Sequence, residues 1–160
     1  MEDKINLLFV DDEQQFLDSM KKQLEIRGFN VVAVDRGEKA LEAARSCAVD
    51  VALVDLKMPG LDGEATLKAL KGEHKWMEVV ILTGHGSVDS AVGTMQSGAY
   101  SYLQKPCKLD QLMEVLQEAY KKKVMNKKQI EEKQMNEMLK LAQSSSPRDI
   151  LKRLKDIDAS

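Results

Sequence analysis

Residues 7–12 of this chain read Leu-Leu-Phe-Val-Asp-Asp, and residues 51–55 read Val-Ala-Leu-Val-Asp. Each stretch is a short apolar run of the kind that forms a buried strand in a parallel sheet, and each ends in carboxylates. Because the carboxyl ends of such strands share one edge of the sheet, we expect Asp11, Asp12 and Asp55 to meet there. Oxygen ligands of this kind are what Mg²⁺ favours. The pattern predicts a magnesium site at which an aspartate can also attack phosphorus.

Strand-like and helix-like segments alternate on both sides of these runs, up to residue 106. Residues Phe16 and Leu17, for example, begin an apolar face with helical spacing, and Gly28 and Gly72 follow the expected ends of helices. Five strand–helix units predict an α/β fold with a parallel sheet and helices on both faces, with function at the carboxyl ends of the strands. The strand candidates are Ile5–Val10, Val31–Val34, Val51–Asp55, Val79–Thr83 and Tyr100–Gln104.

A long helical segment follows the last strand candidate. Residues 108–142 contain neither proline nor glycine and are rich in strong helix formers, which predicts an extended C-terminal helix. A serine run then interrupts the pattern, and residues 146–157 read as a short final helix that begins with a capping serine and a proline. We therefore expect a domain at residues 1–120 and a helical C-terminal extension at residues 121–160.

The composition is that of a globular protein, because 43% of the 160 residues are hydrophobic and 31% are charged. The net charge of −2 conceals an acidic first part, residues 1–106, and a basic remainder, which supports two segments with different roles. Cys47 and Cys107 lie far apart without metal-ligand spacing, and no apolar run is long enough to span a membrane. We expect a cytoplasmic protein with no disulfide and no membrane contact.

Four motifs together resemble the response-regulator receiver domain, in particular receivers of the NtrC kind. They are Asp11-Asp12, Asp55 followed by Leu-Lys-Met-Pro-Gly, Thr83 followed by Gly-His-Gly, and Lys105-Pro106, each at the end of its own strand candidate. The resemblance covers about residues 4–120 and implies a CheY-like, flavodoxin-like doubly wound sheet with strand order 2-1-3-4-5. It implies two-component signal transduction, in which a sensor histidine kinase or a phosphotransfer protein donates a phosphoryl group to the chain.

The resemblance also implies the chemistry of the site. Asp55 would be the phospho-acceptor, Thr83 would donate its hydroxyl to the phosphoryl oxygens, and Lys105 would pair with Asp55 or with those oxygens. Mg²⁺ would neutralise charge on the transferring group, where electrostatic stabilisation matters most. Its ligands would be Asp12, Asp55 and the backbone carbonyl of Lys57, with Asp11 acting mainly through a metal-bound water.

The resemblance implies regulatory roles for four positions. Thr83 and Tyr102 would form the conformational switch, with the helix after Thr83 as its mobile element because it is rich in poor helix formers. Lys57 and His85 would tune the lifetime of the aspartyl phosphate. Since neither side chain activates water as a well-placed carboxylate or carboxamide does, we expect slow to intermediate self-hydrolysis.

The segment after residue 106 sets the expected output. It is too short for an ATPase module and has no Walker-type Gly-x-x-x-x-Gly-Lys stretch, so we expect a phospho-acceptor protein and not an enzyme, beyond its own phosphorylation and dephosphorylation. The lysine-rich residues 121–128 could contact nucleic-acid phosphates, but without interleaved arginines or aromatics they indicate a solvated face. The C-terminal helices would instead control a downstream protein or self-association.

Three other interpretations stay open at this point. A phosphatase with an aspartate nucleophile typically needs a second carboxylate two residues later, where this chain has Lys57. A receiver-like scaffold that takes no phosphate is disfavoured by the full set of acidic and lysine residues. The third interpretation is the receiver fragment of a larger transcriptional regulator.

Overall fold

Five strands alternate with five helices, as the pattern of apolar runs predicted. The computed structural model describes residues 4–144 and residue 155. Every strand candidate falls on an observed strand, and its ends differ from the prediction by two residues or fewer. The elements are β1 Ile5–Val10, α1 Gln14–Ile26, β2 Phe29–Val34, α2 Gly37–Ser46, β3 Val51–Val54, α3 Gly63–Glu73, β4 Glu78–Thr83, α4 Val88–Gln96, β5 Ser101–Gln104 and α5 Leu109–Ser144.

The strands form one parallel sheet in the order β2-β1-β3-β4-β5, which confirms the predicted topology. The register between the central strands is decisive for the site. Val10 at the end of β1 lies opposite Val54 at the end of β3. The backbone N–H of Asp55 donates to the carbonyl of Val10 at 3.0 Å, and that of Asp11 donates to Val34 at 3.1 Å. The residues that follow β1 and β3 are therefore fixed side by side by the sheet itself.

Helices cover both faces of the sheet. Side chains alternate along the strands, so Leu8 and Val10 pack on one face while Leu7 and Phe9 pack on the other. Fully burying a leucine contributes about 1.5–3 kcal/mol, so these two apolar layers dominate the stability of the sheet. The helices α2 and α3 cover the first face and α1 and α5 the second, through the buried residues Ala40, Leu67, Leu70, Leu17, Leu24, Leu112 and Leu116.

Gly28 and Gly72 were both expected to follow the end of a helix, and only Gly28 does. Gly28 follows α1 with φ +96°, the left-handed conformation expected of a glycine at that point. The expectation for Gly72 was wrong, because this glycine lies inside α3. The helix continues to Glu73, and the N–H of His74 donates to the carbonyl of Leu70 at 2.8 Å.

The long α5 confirms the extended helix predicted from residues 108–142. The chain divides into two units, with the boundary between Lys123 and Val124. In the first unit, α5 is anchored by buried apolar side chains such as Leu112 and Leu116. In the second, the described residues 124–144 expose Val124, Met125, Met135 and Leu139. The short final helix expected at residues 146–157 lies, apart from Lys155, outside the described residues.

The lysine-rich stretch is not entirely the solvated face that the sequence indicated. Lys123 forms an ion pair with Asp50, a residue that also accepts a hydrogen bond from the N–H of Asn6 at 2.8 Å. Lys122 lies 3.8 Å from Glu78, a buried acid at the start of β4. These contacts tie α5 to the amino edge of the sheet. None of the described helices has both the length and the apolar character that a membrane crossing requires.

Two glycines of α3 give opposite stability predictions. A Cβ on Gly63 would meet the carbonyl oxygen of Asp55 and lie 2.6 Å from the Cα of Leu56, backbone atoms that cannot move aside. Gly63→Ala should therefore lower the free energy of unfolding by about 1–3 kcal/mol. A Cβ on Gly72 would meet nothing within 4 Å, so Gly72→Ala should raise it by up to about 1 kcal/mol. Urea unfolding measures both, and equal effects would contradict the packing described for α3.

Candidate functional site

Four strands deliver polar side chains to the carboxyl edge of the sheet. Asp11 follows β1, Asp55 follows β3, Thr83 is the last residue of β4, and Lys105 follows β5. Asp11, Asp55 and Thr83 are buried, with 0%, 2% and 0% of their surface exposed, whereas Asp12 is exposed. The site therefore has a buried floor that opens to solvent beside Asp12.

The three aspartates predicted to meet do so. Asp11, Asp12 and Asp55 each offer a carboxylate oxygen, and these three oxygens lie within 4.8 Å of one another. The Oδ1 atom of Asp55 is buried and, within the described part of the chain, accepts no hydrogen bond. A buried oxygen without a partner is costly, and a hard cation would satisfy it. The donor set fits Mg²⁺ in its chemistry.

Lys105 is the cation that the site itself provides, and its closest partner differs from the expected one. Its Nζ lies 2.7 Å from Oδ2 of Asp11, 3.7 Å from Oε1 of Glu13 and 3.9 Å from Oδ2 of Asp55. The predicted pairing with Asp55 is thus a longer contact, and Asp11 holds the hydrogen bond. Asp11 is fully buried, so its carboxylate is stabilised by a charged partner.

Burial and pairing act in opposite directions on these charges. Burial raises the pKa of Asp11, although the hydrogen bonds from Lys105 and from the N–H of Glu13 act to lower it. Burial also acts to lower the pKa of Lys105, but the hydrogen bond to Asp11 and the charges of Asp11, Asp55 and Glu13 outweigh it, and that pKa is raised. Lys105 therefore stays a cation, and its hydrogen bond offsets part of the effect of burial on the pKa of Asp11.

Thr83 and Tyr102 lie on neighbouring strands and contact the segment that leads into α4. The hydroxyl oxygen of Thr83 accepts a hydrogen bond from the N–H of His85 at 3.1 Å. The hydroxyl of Tyr102 lies 3.1 Å from Oγ of Ser90 in the first turn of α4. A Cβ on Gly86 would collide with that tyrosine hydroxyl, so the ring is packed tightly under the turn. The structure thus connects both predicted switch residues to the start of α4.

The two residues expected to tune the lifetime of the phosphoryl group lie at the mouth of the site. Lys57 and His85 are exposed, and both line a cleft that also contains Asp12 and Pro59. They are near the carboxylate cluster but outside its buried floor. From this position their side chains can meet solvent that approaches Asp55.

Sequence reasoning missed Glu38 in the first turn of α2. Its Oε1 accepts a hydrogen bond at 2.9 Å from the N–H of Leu61, in the loop after β3. Bonds from backbone N–H groups lower the pKa of Glu38. Gly60 adopts φ +77° beside this carboxylate, and a Cβ there would lie 2.7 Å from Oε1. An acid in the first turn of a helix is common because it interacts favourably with the helix dipole, so nothing in the local sequence indicated that Glu38 holds the loop carrying Lys57.

Phe16 was recognised only as part of the apolar face of α1. In the structure, Nζ of Lys105 lies 4.1 Å from the centroid of the Phe16 ring. Helical spacing indicated that the ring faces the core, and it does pack against the core cluster. Contact with a cation that follows a different strand has no local signature.

Known proteins resemble this chain over the same stretch. A family model described as "Response regulator receiver domain" matches residues 7–117. The DNA-binding transcriptional regulator NtrC of Escherichia coli (strain K12) is 36% identical over 110 residues, which cover 69% of this chain and 24% of that protein. The transcriptional regulatory protein ZraR of the same organism is 37% identical over 117 residues, which cover 73% and 26%. The chain thus spans about a quarter of the length of these curated relatives.

Solved structures give the same result for the fold. A response regulator receiver domain protein from Clostridium thermocellum matches with a TM-score of 0.71 and 35% identity, covering 76% of this chain and 98% of that one. NtrX from Brucella abortus, in complex with ADP, matches with a TM-score of 0.74 and 30% identity, covering 79% of this chain and 29% of that one. The match to the Clostridium thermocellum protein therefore pairs about three quarters of this chain with nearly all of that protein.

Lys105→Met should lower the free energy of unfolding by about 3 kcal/mol near pH 7 in EDTA, because it leaves the buried carboxylate of Asp11 without its cation. Adding Asp11→Asn should recover most of this loss. Without Lys105 the pKa of Asp11 rises further above that of the unfolded chain, so the folded variant binds a proton that the unfolded one does not. Its stability relative to wild type should therefore increase as the pH falls. Urea unfolding at several pH values tests this, and a loss independent of Asp11 would contradict it.

Proposed function

The chain belongs to the response-regulator receiver domain family, and from this premise we propose that Asp55 is the residue that accepts the phosphoryl group. One observation carries the proposal. The carboxylates of Asp11, Asp12 and Asp55 converge within 4.8 Å, and the ammonium of Lys105 lies within 3.9 Å of the proposed acceptor. Such a cluster supplies a nucleophile, a site for a hard cation and a fixed positive charge at one point of the sheet edge.

The proposed donor is a phosphohistidine on a sensor histidine kinase or on a phosphotransfer protein. A carboxylate oxygen of Asp55 attacks phosphorus, and the bond between phosphorus and the histidine nitrogen breaks. The nitrogen leaves with that electron pair as imidazole. The hydroxyl of Thr83 would donate to a phosphoryl oxygen, and Lys105 would pair with another.

Mg²⁺ is the proposed cofactor. Asp11, Asp12, Asp55 and the backbone carbonyl of Lys57 would hold it, with Asp11 acting mainly through water. When bound, the ion supplies positive charge that neutralises the carboxylates and the oxygens of the transferring group. The support is the all-oxygen donor set and the buried oxygen of Asp55 that lacks a partner.

We propose that phosphorylation acts on α4 through Thr83 and Tyr102. If the Thr83 hydroxyl turns to a phosphoryl oxygen, its bond with the N–H of His85 is replaced, and the segment leading to α4 is released. The helix itself is weakly held, because Thr94 is its one fully buried residue. The hydrogen bond between Tyr102 and Ser90 then couples the position of the tyrosine hydroxyl to that of the first turn of α4.

The C-terminal extension is the proposed output. In the described part of the second unit, Val124, Met125, Met135 and Leu139 are exposed apolar side chains on one helix. They suit contact with a downstream protein or with a second copy of the chain, in a cytoplasmic setting. The longer relatives are DNA-binding and transcriptional regulators by name, and this chain as a receiver fragment of such a regulator stays the alternative proposal.

Acetyl phosphate tests the acceptor directly. Wild-type protein with Mg²⁺ should gain the mass of one phosphoryl group, whereas Asp55→Asn should gain none, and EDTA should suppress the gain. Asp18→Asn removes an exposed acid of α1 outside the cluster and should behave as wild type. Intact-protein mass spectrometry measures all four samples. Uptake by Asp55→Asn, or none by wild type, would refute the assignment, and steady release of phosphate without a labelled protein would favour the phosphatase.

The lifetime of the label tests the two residues at the mouth of the site. His85→Gln and Lys57→Asn introduce carboxamides that can orient water, so both should speed the loss of phosphate severalfold. His74→Gln, which changes the other histidine of the chain at the end of α3, should leave the rate unchanged. The decay of the phosphorylated mass after removal of acetyl phosphate gives the rates. If all variants decay as wild type does, neither Lys57 nor His85 controls the lifetime.

Solution mass tests the proposed output. Addition of Mg²⁺ and beryllofluoride, a phosphoryl mimic, should increase the mass measured by light scattering if the extension mediates self-association. Met135→Glu with Leu139→Glu should abolish the increase without changing uptake of acetyl phosphate. An unchanged mass in the wild-type protein would exclude self-association and leave a downstream protein as the partner of the extension.

A further inference from the structure

The ammonium of Lys105 is confined by two chemically different surfaces. Carboxylate oxygens of Asp11, Glu13 and Asp55 lie 2.7 Å, 3.7 Å and 3.9 Å from its Nζ. The centroid of the Phe16 ring lies 4.1 Å from the same atom. A ring face attracts a cation at this distance through its quadrupole. The lysine stem has four flexible carbons, so several contacts are needed to hold its head at one position.

The Phe16 ring is held in place by the apolar core. It packs edge-on against Phe9, with ring centroids 5.9 Å apart and an interplanar angle of 82°. Phe9 is fully buried in β1, two residues before Asp11. Both rings belong to the apolar layer that α1 and α5 form on the sheet. The position of the ring therefore follows from the core and not from the charged residues at the edge.

We propose that Phe16 is a positioning residue of the phosphoryl-transfer site, which holds the Lys105 ammonium within reach of a phosphoryl group on Asp55. This inference rests on the function proposed above. A ring attracts the ammonium without accepting a conventional hydrogen bond, so the N–H donors of Lys105 remain free for oxygen. An acid at this position would instead compete with the phosphoryl group for the lysine.

The Phe16 ring also has a role when Lys105 exchanges its contact with Asp11 for one with a phosphoryl oxygen. Before transfer, Lys105 is bonded to Asp11 and is 3.9 Å from Asp55. To bind a phosphoryl oxygen on Asp55 it has to shift by a small distance along the same edge. The ring face is a broad contact that tolerates such a shift, whereas a hydrogen bond has one preferred geometry. Phe16 thus keeps the ammonium in place while its anionic partner changes.

The alternative is that Phe16 serves packing alone, as a partly buried residue of the α1 face. The two interpretations differ in what replaces the ring. If only apolar volume matters, leucine and methionine should serve as well as tyrosine. If the ring face matters, tyrosine should preserve the function and the two aliphatic residues should not, and the effect should require the ammonium of Lys105.

The experiment is the initial rate of phosphorylation at several acetyl phosphate concentrations, with saturating Mg²⁺ and full-length protein. Phe16→Leu and Phe16→Met should lower the rate at low donor concentration about threefold to thirtyfold, the range that a partly desolvated contact between a cation and a ring corresponds to. Phe16→Tyr should stay within about twofold of wild type. In a Lys105→Met background, Phe16→Leu should cause no further loss, since the cation is gone. Urea unfolding confirms that each variant is folded under the assay conditions.

The outcomes separate this proposal from the function on which it rests. If wild type takes up no phosphoryl group, the proposed function fails and this inference fails with it. If wild type is phosphorylated but Phe16→Tyr loses as much as Phe16→Leu, or the loss persists without Lys105, the ring acts through packing alone and the inference is overturned. Loss in the aliphatic variants, rescue by tyrosine and no effect without Lys105 support it.

Discussion

The parallel pairing of β1 with β3 forces two carboxylates to share a buried edge. Because Val10 lies opposite Val54, the next residue on each strand, Asp11 and Asp55, leaves the sheet at the same level. Oxygens of the two carboxylates lie within 4.8 Å of each other, and two unit charges this close repel by at least about 3 kcal/mol at an effective dielectric constant of 20. The apolar layers on both faces hold the register, so the side chains cannot move apart without disrupting the core. Stability and function are in conflict at this edge.

The remaining residues of the site can be understood as responses to that conflict. Lys105 donates to Asp11 and compensates part of the charge of that carboxylate, while one oxygen of Asp55 is left without a partner among the described residues. A fully compensated site would be more stable, but it would bind a cation and a phosphoryl group less well. Asp12, Glu13 and Asp62, which line the cleft, add negative charge on the solvent side, where its cost is small and an ion can enter.

The sequence alone predicted the parts of this arrangement that depend on local pattern. Four-residue apolar runs located the strands, and the residues at their ends located Asp11, Asp55 and Thr83. It could not show how side chains from distant segments would meet. Lys105 was expected to pair with Asp55 or with its phosphoryl oxygens, and its Nζ does lie 3.9 Å from Asp55, but its hydrogen bond goes to Asp11, a residue 94 positions away. The contact between Glu38 and Leu61 escaped for the same reason, since neither residue carries a local signature of the other. Gly72 was misjudged because a glycine near a helix end need not be its cap.

The distribution of anchoring contacts shows which element of the first unit is able to move. α5 is tied at the amino edge of the sheet by the ion pair between Lys123 and Asp50, and near its start by the buried Leu112 and Leu116. α4 has one fully buried residue, and its first turn depends on hydrogen bonds among Ser87, Ser90 and Tyr102. Asp55 and Thr83 lie at the same edge, and Thr83 bonds directly to the segment before α4. These contacts support the proposal that a new charge at Asp55 displaces α4, because α5 within this unit has more anchoring contacts.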